Sequence, residues 1–297
     1  MSSDEQETQE SNNSRKSADS ERPNKDDELT RRAHRMVGDV IEEVVEEDEV
    51  DGKRVRHRGI YLLPNLFTTA ALFSGFYAIV AGMNGDFGYA AIAIFTAMFL
   101  DGLDGRVARM TNTQSAFGAE YDSLADMVSF GVAPALVAFT WMLQDLGKFG
   151  WITAFVYVAG AALRLARFNV QIGSVDKKWF VGLPSPSAAA IVAGLVWVLH
   201  GLEFEAFASQ VVVALVIASL GVLMVSNVRY YSFKDIDLKN RVPFMVLLAI
   251  VLALAIISIE PPIILLTLFL LYGASGPLRA VFRKRTLDSK NSKREKK

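Results

Sequence analysis

Between Leu62 and Pro277 this chain consists of long apolar runs with few charges, and that pattern limits its fold more than anything else in it. Runs of this length match the hydrocarbon thickness of a bilayer. With 52% hydrophobic residues and a mean hydropathy of +0.28, the 297-residue chain is too apolar for an ordinary soluble domain. Eight apolar segments can be marked, at about 62–82, 87–109, 119–143, 149–171, 185–201, 207–226, 242–259 and 262–280. They predict an all-α polytopic membrane bundle of about eight transmembrane helices. The last two count separately if Glu260-Pro261-Pro262 forms a tight turn.

Charge in the connections alternates by side. Arg106 and Arg109, then Arg164, Arg167, Lys177 and Lys178, then Arg229, Lys234, Lys239 and Arg241 fall on one side, with both tails. Asp86, then Asp145 and Lys148, then Glu203 and Glu205, then Glu260 fall on the other. Lys and Arg mark the cytoplasmic face, so both termini are expected inside.

The flanks differ from the apolar region. Residues 1 to about 27 are nearly all polar and are expected to be disordered. Met36, Val37, Val40, Ile41, Val44 and Val45 then recur at helical spacing against Glu42, Glu43, Glu46 and Glu47, which predicts an acidic amphipathic helix. Lys53, Arg54, Arg56, His57 and Arg58 form a basic collar of the kind that anchors a following span. The expected organisation is a cytoplasmic arm at 1–59, a membrane domain at 60–283 and a basic cytoplasmic tail at 284–297. No cleavable signal peptide is expected, because the first apolar run begins near Ile60 behind the charged arm. With no cysteine, disulfides, thiolate metal sites and cysteine nucleophiles are excluded. His34, His57 and His200 are not placed for catalysis, and Trp141, Trp151, Trp197 and Tyr157 suit interfaces and packing.

Against this background the stretch Leu100–Ala135 carries four aspartates. Asp101 and Asp104 are three apart and Asp122 and Asp126 four apart, so on helices each pair shares one face. A short polar turn at Met110–Phe117 would let two antiparallel helices bring the pairs together. Four converging carboxylates repel one another unless a cation sits among them, and an all-oxygen site suits Mg²⁺ or Mn²⁺. The predicted topology puts Asp101 and Asp122 near the cytoplasmic interface and Asp126 about one turn deeper. Ionisable groups at such depth are costly and point to function.

Asp101–Asp126 reads D-x2-D-G-x2-A-R-x8-G-x3-D-x3-D, with Asp101, Asp104, Gly105, Ala108, Arg109, Gly118, Asp122 and Asp126 at the fixed positions. This resembles the signature of the CDP-alcohol phosphatidyltransferases, integral membrane enzymes that move a phosphatidyl or related group from a CDP-linked donor to an alcohol. The resemblance implies that Asp101, Asp104 and Asp122 coordinate two divalent ions, while Asp126 also serves as general base. It further implies that Gly105 and Ala108 leave room for the nucleotide and that Arg109 contacts the donor's phosphates. Leu63–Thr68 is similar to the family's first-span entrance, which puts Asn65 and Thr68 by the CDP moiety. Ser115, in the polar turn, is a further candidate for donor contact.

Ala162–Val170 (ALRLARFNV) and Phe180–Pro186 (FVGLPSP) resemble segments of the phosphatidylserine synthase branch. Arg164 and Arg167 share a face near a Gly-Leu-Pro-Ser-Pro turn. They can be read as positive-inside anchors, or as a pocket for a serine carboxylate and the donor phosphate, which the planar guanidinium can grip bidentately. Asn169 and Ser185 could add polar contacts. The resemblance covers about Ile60 to Arg283 and leaves the acidic arm unexplained. It implies transfer from CDP-diacylglycerol to L-serine at the cytoplasmic face of the inner membrane, in contact with membrane lipids. It also implies a homodimer and no nucleic-acid partner.

The chemistry asks for the same parts. Cations must neutralise a diphosphate before a nucleophile can approach it, and a serine hydroxyl needs a carboxylate to take its proton. Glycerol 3-phosphate or an inositol phosphate as acceptor would leave the aspartates unchanged and alter the basic pocket. A cation-coupled transporter would instead place acids near the midplane and show an internal repeat. Here the acids lie toward one face, and no convincing repeat is found.

Overall fold

The computed structural model describes residues 48–50, 53–55, 62–111, 115–171, 179–201, 207–231 and 244–295. The chain forms two units, Met1–Gly59 and Ile60–Lys297. In the first, β1 (Asp48–Val50) and β2 (Lys53–Val55) pair antiparallel, with Asp48 opposite Val55. The expected disordered stretch and the acidic helix fall outside the described residues, and Lys53–Val55 of the expected basic collar forms β2.

The second unit is helical. Its elements are α1 (Leu62–Met83), α2 (Phe87–Thr111), α3 (Ala116–Asp126), a π-turn (Met127–Val132), α4 (Ala133–Trp141) and α5 (Lys148–Gln171). After these come α6 (Ser185–Leu199), α7 (Phe207–Val225), α8 (Phe244–Ile259) and α9 (Pro261–Glu295). A small ribbon pairs β3 (Trp179–Val181) with β4 (Arg229–Tyr231). Among the described residues, six helical stretches are long and apolar enough to cross a membrane: 64–83, 87–111, 117–141, 148–170, 207–225 and 261–280. The protein is therefore an all-α, multi-pass membrane protein. Two differences from expectation stand out. The third expected segment is not one regular helix, because the π-turn interrupts it. The last helix continues past 280 to Glu295.

At 15 residues, α6 is about 22 Å long, short of a bilayer core of about 30 Å. Its burial explains how it can be short. Ala188, Ala189, Ala190, Ile191, Val192, Ala193 and Val196 are all within 1% of full burial, so this helix is solvated by protein on most sides. It packs on α2, α4 and α9.

Small residues let the other helices approach closely. Ala71, Ala78 and Ala81 of α1 and Ala90, Ala91, Ala93 and Ala97 of α2 are buried, and the Ser74 hydroxyl donates to the Ala93 carbonyl at 2.8 Å. Where α5 crosses α7, a Cβ on Gly160 would run into the Gly221 carbonyl. The α1–α2 turn needs Gly85, whose φ is 82°.

Two prolines inside helices have a shared solution. A proline has no N–H for the carbonyl four residues earlier, and its ring pushes against that carbonyl. Pro134 thus frees the carbonyl of Phe130, and Pro277 that of Gly273. A tyrosine supplies a donor in each case: Tyr157 Oη donates to Phe130 O at 3.1 Å, and Tyr230 Oη donates to Gly273 O at 3.1 Å. Both tyrosines are fully buried.

Candidate active site

Helices α2 and α3 each contribute one pair of aspartates to a common point. Carboxylate oxygens of Asp101, Asp122 and Asp126 all lie within 4.8 Å of one another, a spacing that a single metal ion could bridge. Asp104 faces Asp122 from the next turn of α2, but its Oδ2 accepts a 2.7 Å hydrogen bond from the Thr68 hydroxyl of α1. The Oδ1 atom of Asp122 is buried with no hydrogen-bond partner among the described residues. A buried carboxylate oxygen is costly to leave alone. Three converging carboxylates with one orphaned oxygen fit a hard divalent cation, which would satisfy that atom and offset the mutual repulsion.

The local sequence accounts for the aim of each side chain. In α3, Ser115 is the N-cap: its Oγ accepts from the Gly118 amide at 2.9 Å, fixing the start of the helix. A side chain on Gly118 would press on Ser115 Oγ and approach Asn65 Oδ1, so this glycine lets the starts of α1 and α3 meet. Beside it, Tyr121 Oη is 2.8 Å from the Thr69 hydroxyl and stacks on Phe117, with ring centroids 6.0 Å apart. Gly102 and Gly105, in contrast, have open space where a Cβ would be.

The remaining candidates separate into two groups. Arg164 lies beside Asp126 and Asp101 and donates to the fully buried Ser185 hydroxyl at 2.5 Å, at the start of α6. Asn65 Oδ1 lies by Gly118 near the start of α3, and Gly105 follows Asp104 on α2. Others hold partners within the fold. Thr68 is held to Asp104 and Ser115 caps its helix. Exposed Arg109 donates from Nε to the Gly105 carbonyl, one turn back on its own helix, at 2.7 Å. Ala108 is half-buried on the same helix. Arg167 reaches α7, donating to Val225 O at 3.1 Å and Asn227 Oδ1 at 2.6 Å. Asn169 bonds Ser123, tying α5 to α3. The Thr68–Asp104 bond and the Tyr157–Phe130 bond were not anticipated from sequence. Pro134, four residues beyond Phe130, is the signal that could have exposed the second.

A family model for CDP-alcohol phosphatidyltransferase matches residues 61–225, which include all four aspartates, α1 and the arginines of α5. The chain belongs to the CDP-alcohol phosphatidyltransferase family. This is a phosphotransferase family and generally metal-dependent. A CDP-diacylglycerol–serine O-phosphatidyltransferase of Helicobacter pylori is 39% identical over 215 residues, covering 72% of this chain and 90% of the relative. One from Methanocaldococcus jannaschii is 35% identical over 188 residues, covering 63% of this chain and 82% of the relative. One from Saccharomyces cerevisiae is 44% identical over 148 residues, covering 45% of this chain and 53% of the relative.

Proposed function

We propose that this protein is a CDP-diacylglycerol–serine O-phosphatidyltransferase, converting CDP-diacylglycerol and L-serine into phosphatidylserine and CMP. The observation that carries the reading is the convergence of Asp101, Asp122 and Asp126 within 4.8 Å in a chain that belongs to this family. The names of its relatives in three distant organisms support serine as acceptor.

In this reading Asp101, Asp104, Asp122 and Asp126 hold two divalent ions, Mg²⁺ or Mn²⁺, with Thr68 orienting Asp104. When bound, the ions neutralise the donor's diphosphate and the charge that gathers on departing CMP. The chain's own groups do the rest. Asp126 takes the serine hydroxyl proton as the new oxygen–phosphorus bond forms and the bond to CMP breaks. The open faces of Gly102 and Gly105 admit the nucleotide, with Asn65 and Ala108 at its border and Arg109 swinging from its own helix toward the phosphates. Arg164, positioned by Ser185, grips the serine carboxylate or the donor phosphate; its nearness to Asp126 supports that role over a purely anchoring one. Arg167 and Asn169 hold α5 against α7 and α3.

The positive charge of one set of connections supports a site at the cytoplasmic face of the inner membrane, with both termini inside and eight spans, and the family resemblance supports a homodimer. The chain divides functionally into an arm at 1–59, a catalytic membrane domain at 60–283 and a tail at 284–297. The test is an acceptor panel. Purified protein with CDP-diacylglycerol and Mn²⁺ or Mg²⁺ should release CMP with serine and not with glycerol 3-phosphate or an inositol phosphate. Release with a phosphorylated acceptor and none with serine would overturn the assignment.

A further inference from the structure

The link between α3 and α4 sets where Asp126 points. Asp126 is the last residue of α3, and the π-turn starts at the next residue. Its wide bonding is explicit at the far end, where the Ala133 amide bonds the Val128 carbonyl five residues back. Such a turn holds one residue more than an α-helical path would. Had 127–132 been regular α-helix, one residue of register would rotate α3 by about 100° relative to α4. Helix α4 cannot absorb that rotation, since Ala133, Pro134, Ala135, Val137 and Ala138 are all buried. The rotation would fall on α3 and swing Asp122 and Asp126 away from Asp101.

The π-turn is gripped from two sides. On the α1 side, Ser129 Oγ donates to Ala71 O at 3.2 Å, and a Cβ on Gly75 would collide with Ser129. On the α5 side, Gly131 sits where a Cβ would press on Ala161, and Tyr157 Oη donates to Phe130 O. The proline after the turn removes the N–H that would let Phe130 O re-enter a regular helix.

We infer that Tyr157 is a positioning residue for the metal-binding aspartates: its hydroxyl, by holding the carbonyl that Pro134 frees, keeps the π-turn wound and keeps Asp122 and Asp126 facing Asp101. The inference rests on the metal-site reading above. Tyr157 touches neither substrate nor the reacting atoms. It acts through four residues of backbone, and its counterpart Tyr230, on β4, makes the same kind of bond to Gly273 of α9 with no metal ligand attached.

The experiment measures Mn²⁺ binding directly, by electron paramagnetic resonance of free Mn²⁺ titrated into the full-length protein in detergent, beside thermal unfolding of each variant. Tyr157→Phe keeps the ring and loses the hydroxyl, and it should weaken Mn²⁺ affinity about tenfold, the low end of what losing a metal ligand's direct hydrogen-bond partner costs. Tyr230→Phe should lower thermal stability and leave Mn²⁺ affinity at the wild-type value. In Tyr157→Phe/Pro134→Ala, the new amide gives Phe130 O a helical donor, so stability should recover while Mn²⁺ affinity does not. Equal Mn²⁺ binding by wild type and Tyr157→Phe would overturn the inference and leave the metal site standing. Recovery of affinity together with stability in the double variant would also overturn it, because the hydroxyl would then merely satisfy a carbonyl. A wild-type protein that binds no Mn²⁺ would remove the metal site and this inference with it.

Discussion

Thr68 donates to Asp104 across the α1–α2 interface at 2.7 Å, and both side chains are almost fully buried. Asp104 thereby points one oxygen at a fixed donor and leaves the other side of its carboxylate toward Asp122. Partners of this kind orient metal-binding carboxylates, and losing one weakens metal affinity or activity by about 10–100-fold. Thr68→Val, which preserves shape and removes the hydroxyl, should lose activity within that range, while Thr68→Ser should recover most of it. Steady-state CMP release at several Mn²⁺ concentrations would show this, and the Thr68→Val loss should shrink as Mn²⁺ rises. A loss that is independent of Mn²⁺ would assign Thr68 to the donor nucleotide instead.

Asp126→Asn removes the proposed proton acceptor and keeps the shape of the side chain. General-base catalysis contributes about 10²–10⁴-fold, so kcat should fall by at least that lower bound. CDP-diacylglycerol should still bind, because Asp101, Asp104 and Asp122 remain. The comparison is single-turnover CMP release against equilibrium donor binding. Wild-type turnover by the variant would assign the proton to another group.

Arg164 and Arg167 are three residues apart in sequence and differ in their surroundings. Arg164 is beside Asp126 and bonded to buried Ser185, whereas Arg167 is bonded to the end of α7. Arg164→Lys should therefore raise the apparent KM for serine or for donor, because lysine cannot reproduce the planar fork. Arg167→Lys should leave both KM values near wild type and lower the unfolding temperature. The opposite pattern would exchange their roles.

This contrast marks what the linear chain could reveal. The aspartate pairs were legible because helical periodicity fixes the face each occupies, and the motif's glycines and alanine fix their spacing. The apolar runs were legible because a bilayer demands length. What was hidden depends on contacts between distant segments. Arg164 and Arg167 read alike as a basic pair, and only the packing of α6 and α7 separates them. Thr68 and Ser115 read as candidate donor contacts, and their bonds to Asp104 and the α3 amide became visible only in the fold. The brevity of α6 is intelligible only once protein, rather than lipid, is seen around it. The π-turn escaped because hydropathy says nothing of one residue of register, although Pro134 announced that a carbonyl nearby would need another donor.

Tyr230 offers a pH test away from the aspartates. Its hydroxyl is pushed up to about 12, mainly by burial and further by the neighbouring Tyr272. The unfolded chain should release this proton near the ordinary tyrosine value of about 10. Below that value the bond to Gly273 contributes fully. Between about 10 and 12 only the unfolded chain gives up the proton, so stability falls as pH rises. Thermal unfolding of wild type should show this alkaline decline, and Tyr230→Phe should be less stable at neutral pH yet flatter across that window. Parallel curves for the two proteins would remove Tyr230 from the titration.

Asp122 carries a buried oxygen without a hydrogen-bond partner among the described residues and faces both Asp101 and Asp104, so metal-free protein holds several carboxylates in mutual repulsion. A bound divalent ion converts that repulsion into attraction. Anything that binds only the folded state stabilises it, by about 2.7 kcal/mol at a hundredfold excess over Kd. Adding Mn²⁺ to chelator-treated protein should accordingly raise its unfolding temperature by several degrees, and chelator should reverse the change. Asp122→Asn separates the two effects. With one negative charge removed, the metal-free variant should unfold at a higher temperature than metal-free wild type, yet gain little from Mn²⁺. The two curves should cross as Mn²⁺ is titrated. If Asp122→Asn is less stable than wild type without metal, the carboxylates are held together by something other than a cation, and the divalent centre has to be sought elsewhere in the chain.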